Sequence, residues 1–144
     1  MLMFEDMGRL HYLRITPPVA VESVHAYREQ IRSRAARPPI VCVDLRHASV
    51  IAPEAADQFL EALKNGKAER VAQVVSARVT QKMQSERLTR QAGRGEDVLR
   101  TFESPHEALE WLGELLAPAE KLHLKGLLDG TIAPSPLAHP ESAI

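Results

Sequence analysis

Three side chains in one short segment, Asp44, His47 and Ser49, are the types that together perform nucleophilic catalysis in many enzymes. A nucleophilic triad needs the serine, histidine and carboxylate within hydrogen-bond reach of one another, beside an oxyanion hole. Residues this close along one loop rarely reach that geometry, and the sequence has no Gly-x-Ser-x-Gly elbow to expose the serine. We therefore predict no catalytic residue and a protein that is not an enzyme.

The residue types that hold metals and cofactors are present but form no motif. Six histidines are scattered without a His-Glu-x-x-His arrangement, and the single cysteine, Cys42, has no second cysteine to bind a metal with it. The run Gly93-Arg94-Gly95 lacks the further glycines and the lysine of a phosphate-binding loop, so it predicts a flexible connection. The sequence therefore indicates no metal site and no cofactor.

The segment that holds Asp44 is better suited to binding another protein. It follows an apolar run and precedes a helix, and loops at the end of a parallel strand usually form ligand or partner sites. Two interpretations of Asp44 stay open, because a carboxylate at a strand end can contact a partner or satisfy the amides of its own loop. The residues that we predict to bind a partner are Asp44, Arg46, His47, Ser49, Pro53 and Glu54.

A strand and a helix must position these residues. The apolar run Ile40-Val41-Cys42-Val43 predicts a buried parallel strand, with Cys42 as an inert thiol inside it. The helix begins near Pro53, a residue that suits the first helical turn because it needs no amide donor there. Its buried face is predicted by apolar residues at helical spacing, which are Ala56, Phe59, Leu60 and Leu63.

Strands and helices alternate along the rest of the chain, as in a mostly parallel sheet flanked by helices. We predict an α/β fold with a sheet of about four to five mostly parallel strands and four helices around it. The only tryptophan, Trp111, is expected to close an edge of the core. The other predicted strands are 2–4, 10–15, 70–75 and 98–102, and the other predicted helices are 20–36, 77–92 and 105–116.

The composition changes after Ala117-Pro118, which predicts one domain over residues 1–117 and a C-terminal extension over residues 118–144. In the extension, Leu124, Leu127 and Leu128 are spaced for a short helix, whereas residues 129–144 contain three prolines and predict a mobile tail. Because the leucines would otherwise be exposed, we also expect a homodimer or another homo-oligomer.

The overall composition argues against several classes of partner. Eighteen Lys and Arg against nineteen Asp and Glu give a formal net charge of −1, so we expect no nucleic-acid partner. No apolar stretch is long enough to span a membrane, and the start of the chain does not have the form of a signal peptide. A lone cysteine is typical of a reducing compartment, so the expected location is cytoplasmic.

Short motifs in the middle and near the end of the predicted domain resemble one family. Val43-Asp44-Leu45, followed by Ile51 and a helix start, resembles the STAS domain of anti-sigma factor antagonists and, more closely, divergent STAS-like proteins of bacteria. The ending Phe102-Glu103-Ser104, followed by Glu107 to Leu112, is similar to the last strand and final helix of that group. The resemblance covers roughly residues 10–116. It implies a STAS-like sheet in a small bacterial binding module that pairs with a regulatory kinase or another signalling protein.

The chain departs from the family where regulation is concerned. Phosphoregulated members have Asp-Ser-Ser-Gly at the helix start, and this chain has Ala52-Pro53-Glu54-Ala55 without a hydroxyl. Glu54 either stabilises the helix, by about 0.3–1 kcal/mol through the helix dipole, or provides a permanent charge that resembles phosphoserine. Ser49 is either a solvated loop serine or a modification site, since phosphate near a helix N-terminus is stabilised by its free amides.

Together, the resemblance and the missing catalytic motifs predict a non-catalytic protein-interaction module in bacterial signalling or regulation. It would dock through the Asp44 to Glu54 loop and the helix that follows, without control by the usual serine. The alternative is a module that binds a small apolar, lipid-like ligand between the sheet and the helices, although the few aromatic residues favour large pockets less.

Overall fold

The structure is a computed structural model, and it describes residues 2–7, 9–16, 25–27, 29, 38–47, 57, 58, 61, 68–76, 79–93 and 95–134. The two helices predicted before and after the strand at residue 40 lie mostly outside these residues. Within them, residues 25–27 and 29 are helical, and so are residues 57, 58 and 61.

A five-stranded sheet forms the centre of the described structure, and its strands lie side by side in chain order. The first strand is antiparallel to the second, and the remaining neighbours are parallel. This topology confirms the predicted α/β class with a mostly parallel sheet. The strands are β1 (Leu2–Met7), β2 (Leu10–Ile15), β3 (Ile40–Asp44), β4 (Arg70–Val74) and β5 (Leu99–Phe102).

Three helices have defined bounds: α1 (Val79–Ala92), α2 (Pro105–Gly113) and α3 (Pro118–Asp129). Ser104 caps α2, because its hydroxyl accepts a hydrogen bond from the amide of Glu107 at 3.3 Å. α3 ends at Gly130, whose φ of 87° lies in the left-handed region that favours glycine. No helix in the described part of the chain is long and apolar enough to cross a membrane.

One face of the sheet packs against α2 and α3. Alternate residues of a strand point to the same face, so every second side chain of β2, β3 and β4 contributes to this core. These strand residues are Leu10, Tyr12, Ile40, Cys42, Ala72 and Val74. Trp111 of α2 is 7% exposed and belongs to the same core, as predicted, with its ring 5.6 Å from that of Phe102.

The helix predicted after Pro118 also belongs to this core. Leu124 and Leu127 of α3 are fully buried and Leu128 is 6% exposed. The expectation that these leucines would be exposed without a second copy is therefore wrong. They no longer support a homodimer. Ile132 packs against the core beyond α3, and residues 135–144, the rest of the predicted mobile tail, lie outside the described residues.

Hydrogen bonds at both ends of α3 fix its direction relative to the sheet. At its start, the Glu120 carboxylate accepts from the amide of Arg9, just before β2, at 2.7 Å. At its end, the carbonyls of Leu127 and Leu128 accept from Arg14 and Arg46, which lie where β2 and β3 finish. α3 therefore runs in the same direction as the parallel strands and ends at their carboxyl ends.

The opposite face of the sheet buries a histidine whose charged form is disfavoured. His11 of β2 is 6% exposed, and its ring meets that of Tyr27 edge-on with 6.4 Å between centroids. Burial lowers the pKa of His11 from 6.5 to about 4. Between these values the unfolded chain binds a proton that the folded chain does not, so the folded state loses stability as the pH falls.

We expect the free energy of unfolding to decrease by about 3 kcal/mol between pH 6.5 and pH 4 on account of His11, since one pKa unit corresponds to about 1.4 kcal/mol. Urea unfolding at a series of pH values measures this slope. The matched variant His11→Phe keeps a ring against Tyr27 but does not titrate, so its slope over the same window should be much flatter. Equal slopes in the two proteins would contradict the prediction.

Candidate functional site

The carboxylate of Asp44 organises the carboxyl edge, by which we mean the end of the sheet where β2, β3 and β4 finish. Its side chain is fully buried and accepts four hydrogen bonds. Oδ1 accepts from the amide and Nε of Arg46 at 3.2 and 2.9 Å, and Oδ2 accepts from Nη2 of Arg46 at 2.8 Å and from the Tyr12 hydroxyl at 2.5 Å. An ionised carboxylate has about four acceptor positions, so Asp44 is saturated.

These bonds decide the charge of the group. Burial by itself would raise the pKa of Asp44, but the hydrogen bonds from Arg46 and Tyr12 outweigh it and hold the pKa below its usual value. The pKa of the Tyr12 hydroxyl is raised by burial and by the neighbouring Asp44, so Tyr12 remains a proton donor in this bond. Asp44 is therefore a fixed anion that has no acceptor position left for a substrate.

Two arginines connect the carboxyl edge to the end of α3. Nη2 of Arg46 donates to the carbonyl of Leu128 at 2.8 Å, and Nη2 of Arg14 donates to that of Leu127 at 3.1 Å. Nε of Arg14 also donates to the Tyr12 hydroxyl at 3.1 Å. The cations lie at the negative end of the helix dipole and satisfy two carbonyls that have no partner within the helix. The hydrogen bond to Asp44 raises the pKa of Arg46, which stays charged.

The structure separates the residues that the sequence grouped as partner-binding. Asp44 does not have the accessible carboxylate that direct contact with a partner would need, because its side chain is 0% exposed and fully paired. Arg46 is partly exposed, and His47, which follows it, is exposed. Ser49, Pro53 and Glu54 lie outside the described residues.

The other candidate groups are the single cysteine and the residue types that bind metals. Cys42 is buried, and burial together with the charge of Asp44 raises the pKa of its thiol, so it stays protonated. In the part of the chain that the structure describes, no three residues of the metal-binding types lie close enough to hold an ion.

Two members of the site, Tyr12 and Arg14, were not predicted from the sequence. The register pairs Tyr12 with Cys42 and Arg14 with Asp44, so both side chains lie on the face where Asp44 needs donors. The sequence did contain a signal for them. Tyr12 and Arg14 are at positions i and i+2 of one strand, so their polar groups point to the same side of the sheet, towards the core. The register itself was needed to place them beside Asp44.

Comparison with known proteins finds a similarity among solved structures. The chain matches no protein-family model and no curated protein. Among solved structures, it is similar to the crystal structure of an uncharacterized protein of the DUF3478 family from Shewanella loihica, which is described as having a SpoIIAA-like fold. The two are 18% identical, with a TM-score of 0.49, and the match covers 78% of this chain and 92% of that one. SpoIIAA-like is the name of the fold of anti-sigma factor antagonists.

Proposed function

We propose that this protein is a non-catalytic protein-interaction module that docks at the carboxyl edge, through the loop after β3 and the helix that follows it. The saturation of Asp44 carries the proposal. A general base must have an acceptor position for the proton it removes, and a nucleophile must reach its substrate. Asp44 has no free acceptor position and no access to a substrate. Tyr12 and Cys42 stay protonated at neutral pH.

A docking surface benefits from the same features that disfavour catalysis. Arg46 is the second residue after Asp44, and its side chain and amide are fixed by four hydrogen bonds. The loop therefore leaves the sheet from a defined position, which lowers the entropy lost when a partner binds. The exposed His47 is the next residue and begins the accessible part of this surface.

The sequence supports a partner from bacterial signalling, such as a regulatory kinase, through its resemblance to STAS-like modules. Because Pro53 and Glu54 replace the phosphorylatable serine, docking in this proposal is constitutive. Ser49 remains a possible site of modification in the same loop.

Affinity purification with the full chain as bait tests the proposal. We expect the wild-type bait to recover the same protein in independent preparations of native extract, whether or not the bait is treated with phosphatase. His47→Ala combined with Glu54→Ala should reduce capture at least about fivefold, since truncation of central interface residues commonly costs more than 1 kcal/mol.

Glu96→Gln is the matched control, because Glu96 is exposed in the loop before β5, at the opposite end of the sheet. Its capture should equal that of wild type. A wild-type bait that recovers no reproducible partner would count against the proposal. An equal loss of capture in the double variant and in Glu96→Gln would also count against it.

One observation favours the alternative, a module for a small apolar ligand. Gln73 is 3% exposed on the face of the sheet opposite to Ala72 and Val74, and its Oε1 accepts no hydrogen bond from any described residue. A ligand with a hydroxyl group would satisfy this oxygen. A mass above that of the chain in native mass spectrometry would support the alternative, and the bare mass would count against it.

A further inference from the structure

The two arginines at the carboxyl edge are held side by side. Their Nη2 groups donate to the consecutive carbonyls of Leu127 and Leu128. Both arginines also contact the hydrogen-bonded pair of Tyr12 and Asp44. Nε of Arg14 donates to the Tyr12 hydroxyl, and Arg46 donates to the Asp44 carboxylate. Both guanidinium groups are therefore fixed in position before any partner arrives.

The charges of this cluster do not cancel. Arg14 and Arg46 contribute two positive charges, and Asp44 contributes one negative charge. The end of α3 supplies a partial negative charge of roughly one half. The exposed Asp129 adds a negative charge nearby, but it interacts with the neighbouring Lys125, whose positive charge offsets it. The cluster thus remains positive.

Both arginines have hydrogen-bond donors to spare. An arginine has five N–H donors. The Nη1 group of each arginine makes no hydrogen bond with any residue in the described part of the chain, whereas the Nε and Nη2 groups are used. The Arg46 side chain is 23% exposed and Arg14 is also partly exposed. Spare donors on two fixed cations suit an anion with several oxygens.

We propose that Arg14 and Arg46 form the recognition centre of the docking surface and bind an acidic group, a carboxylate or a phosphate, on the protein partner. This inference rests on the proposed function, since it names the chemistry that the same surface recognises. Because the side chains are already ordered by Asp44, Tyr12 and α3, little side-chain entropy is lost on binding.

Titration of the full chain with inorganic phosphate and, separately, with acetate at constant ionic strength tests the proposal. NMR signals of the arginine Nε groups and of the His47 ring report the contact. We expect saturable shifts at Arg14, Arg46 and His47 with at least one of the two anions, and the anion that shifts them distinguishes a phosphate site from a carboxylate site.

Arg14→Gln removes one cation and keeps the Asp44 and Arg46 pair, so the apparent Kd should rise at least about tenfold. Arg14→Lys keeps the positive charge but loses the planar guanidinium group with its several N–H donors. Its Kd should therefore lie between those of wild type and Arg14→Gln. Arg100→Gln is the matched control, because Arg100 is an exposed arginine on β5, with its guanidinium 4.7 Å from the centre of the Trp111 ring. Its Kd should equal that of wild type.

Equal Kd values for wild type and Arg14→Gln would overturn the proposal, and so would saturable shifts at neither arginine with either anion. A failure here differs from a failure of the proposed function. If wild type and Arg14→Gln baits capture the same partner equally, the protein is still a docking module, but these arginines are not its recognition centre. If neither bait captures a partner, the docking function itself is wrong.

Discussion

Arg46→Met is expected to lower the free energy of unfolding by about 3–5 kcal/mol at neutral pH, because it leaves a buried carboxylate without its cation. Asp44 would keep only the hydroxyl of Tyr12 as a hydrogen-bond donor from another side chain. The end of α3 would also lose the bond to the carbonyl of Leu128. Urea unfolding followed by the fluorescence of Trp111, the single and buried tryptophan, measures the change.

The pH dependence of this variant has a definite sign. In wild type the pKa of Asp44 lies below its usual value, so the stability that this group contributes is present at neutral pH and is lost as the pH falls below about 4. Without Arg46, burial dominates and raises the pKa of Asp44. Protonation of Asp44 then removes the cost of burying its charge. The difference in the free energy of unfolding between wild type and Arg46→Met should therefore become smaller in acid.

The double variant Asp44→Asn with Arg46→Met is the matched control, since it removes both charges and keeps side chains of similar size. Replacing a buried ion pair by neutral groups is often close to neutral for stability, so the double variant should be more stable than Arg46→Met alone. A single variant within 1 kcal/mol of wild type, or a double variant less stable than the single one, would contradict this account of the network.

Leu127→Ala is expected to lower the free energy of unfolding by about 2–5 kcal/mol, because it opens a cavity where α3 packs on the sheet. Leu127 is fully buried in the core that contains Leu10 and Ile40. Leu122 provides a control on the same helix, since it is 69% exposed. Leu122→Ala should change the stability by no more than about 0.5 kcal/mol.

The same urea unfolding experiment distinguishes the two leucine variants. Similar losses in both would mean that Leu122 is covered in solution, which would restore the case for contact with a second copy. A small loss for Leu127→Ala would mean that α3 does not stabilise the sheet.

Local patterns were sufficient to predict much of the fold. The apolar run at Ile40 acts through neighbouring residues, so its strand could be recognised in the sequence. The leucine spacing after Pro118 predicted a helix for the same reason. What that helix covers could not be predicted, because an apolar stripe is equally consistent with the chain's own sheet and with a second copy.

The candidate site was harder to predict because its bonds are non-local. Asp44 at a strand end left a structural and a docking interpretation open, and the structure supports the first. The decisive partners are Tyr12 and Arg14, which become neighbours of Asp44 only in the observed parallel register. Arg46 could be predicted as a site residue because it lies in the same loop, but its bond to the end of α3 could not.

The placement of α3 has a consequence for the order in which the chain can fold during synthesis. The contacts that join α3 to β2 link residues more than 110 positions apart in the chain. Because α3 follows β2 by about one hundred residues, Leu10 and Tyr12 emerge from the ribosome long before their covering helix exists. The core face of β2 therefore stays without its α3 cover until α3 has been made, and the domain completes its core only after residue 128 has been made.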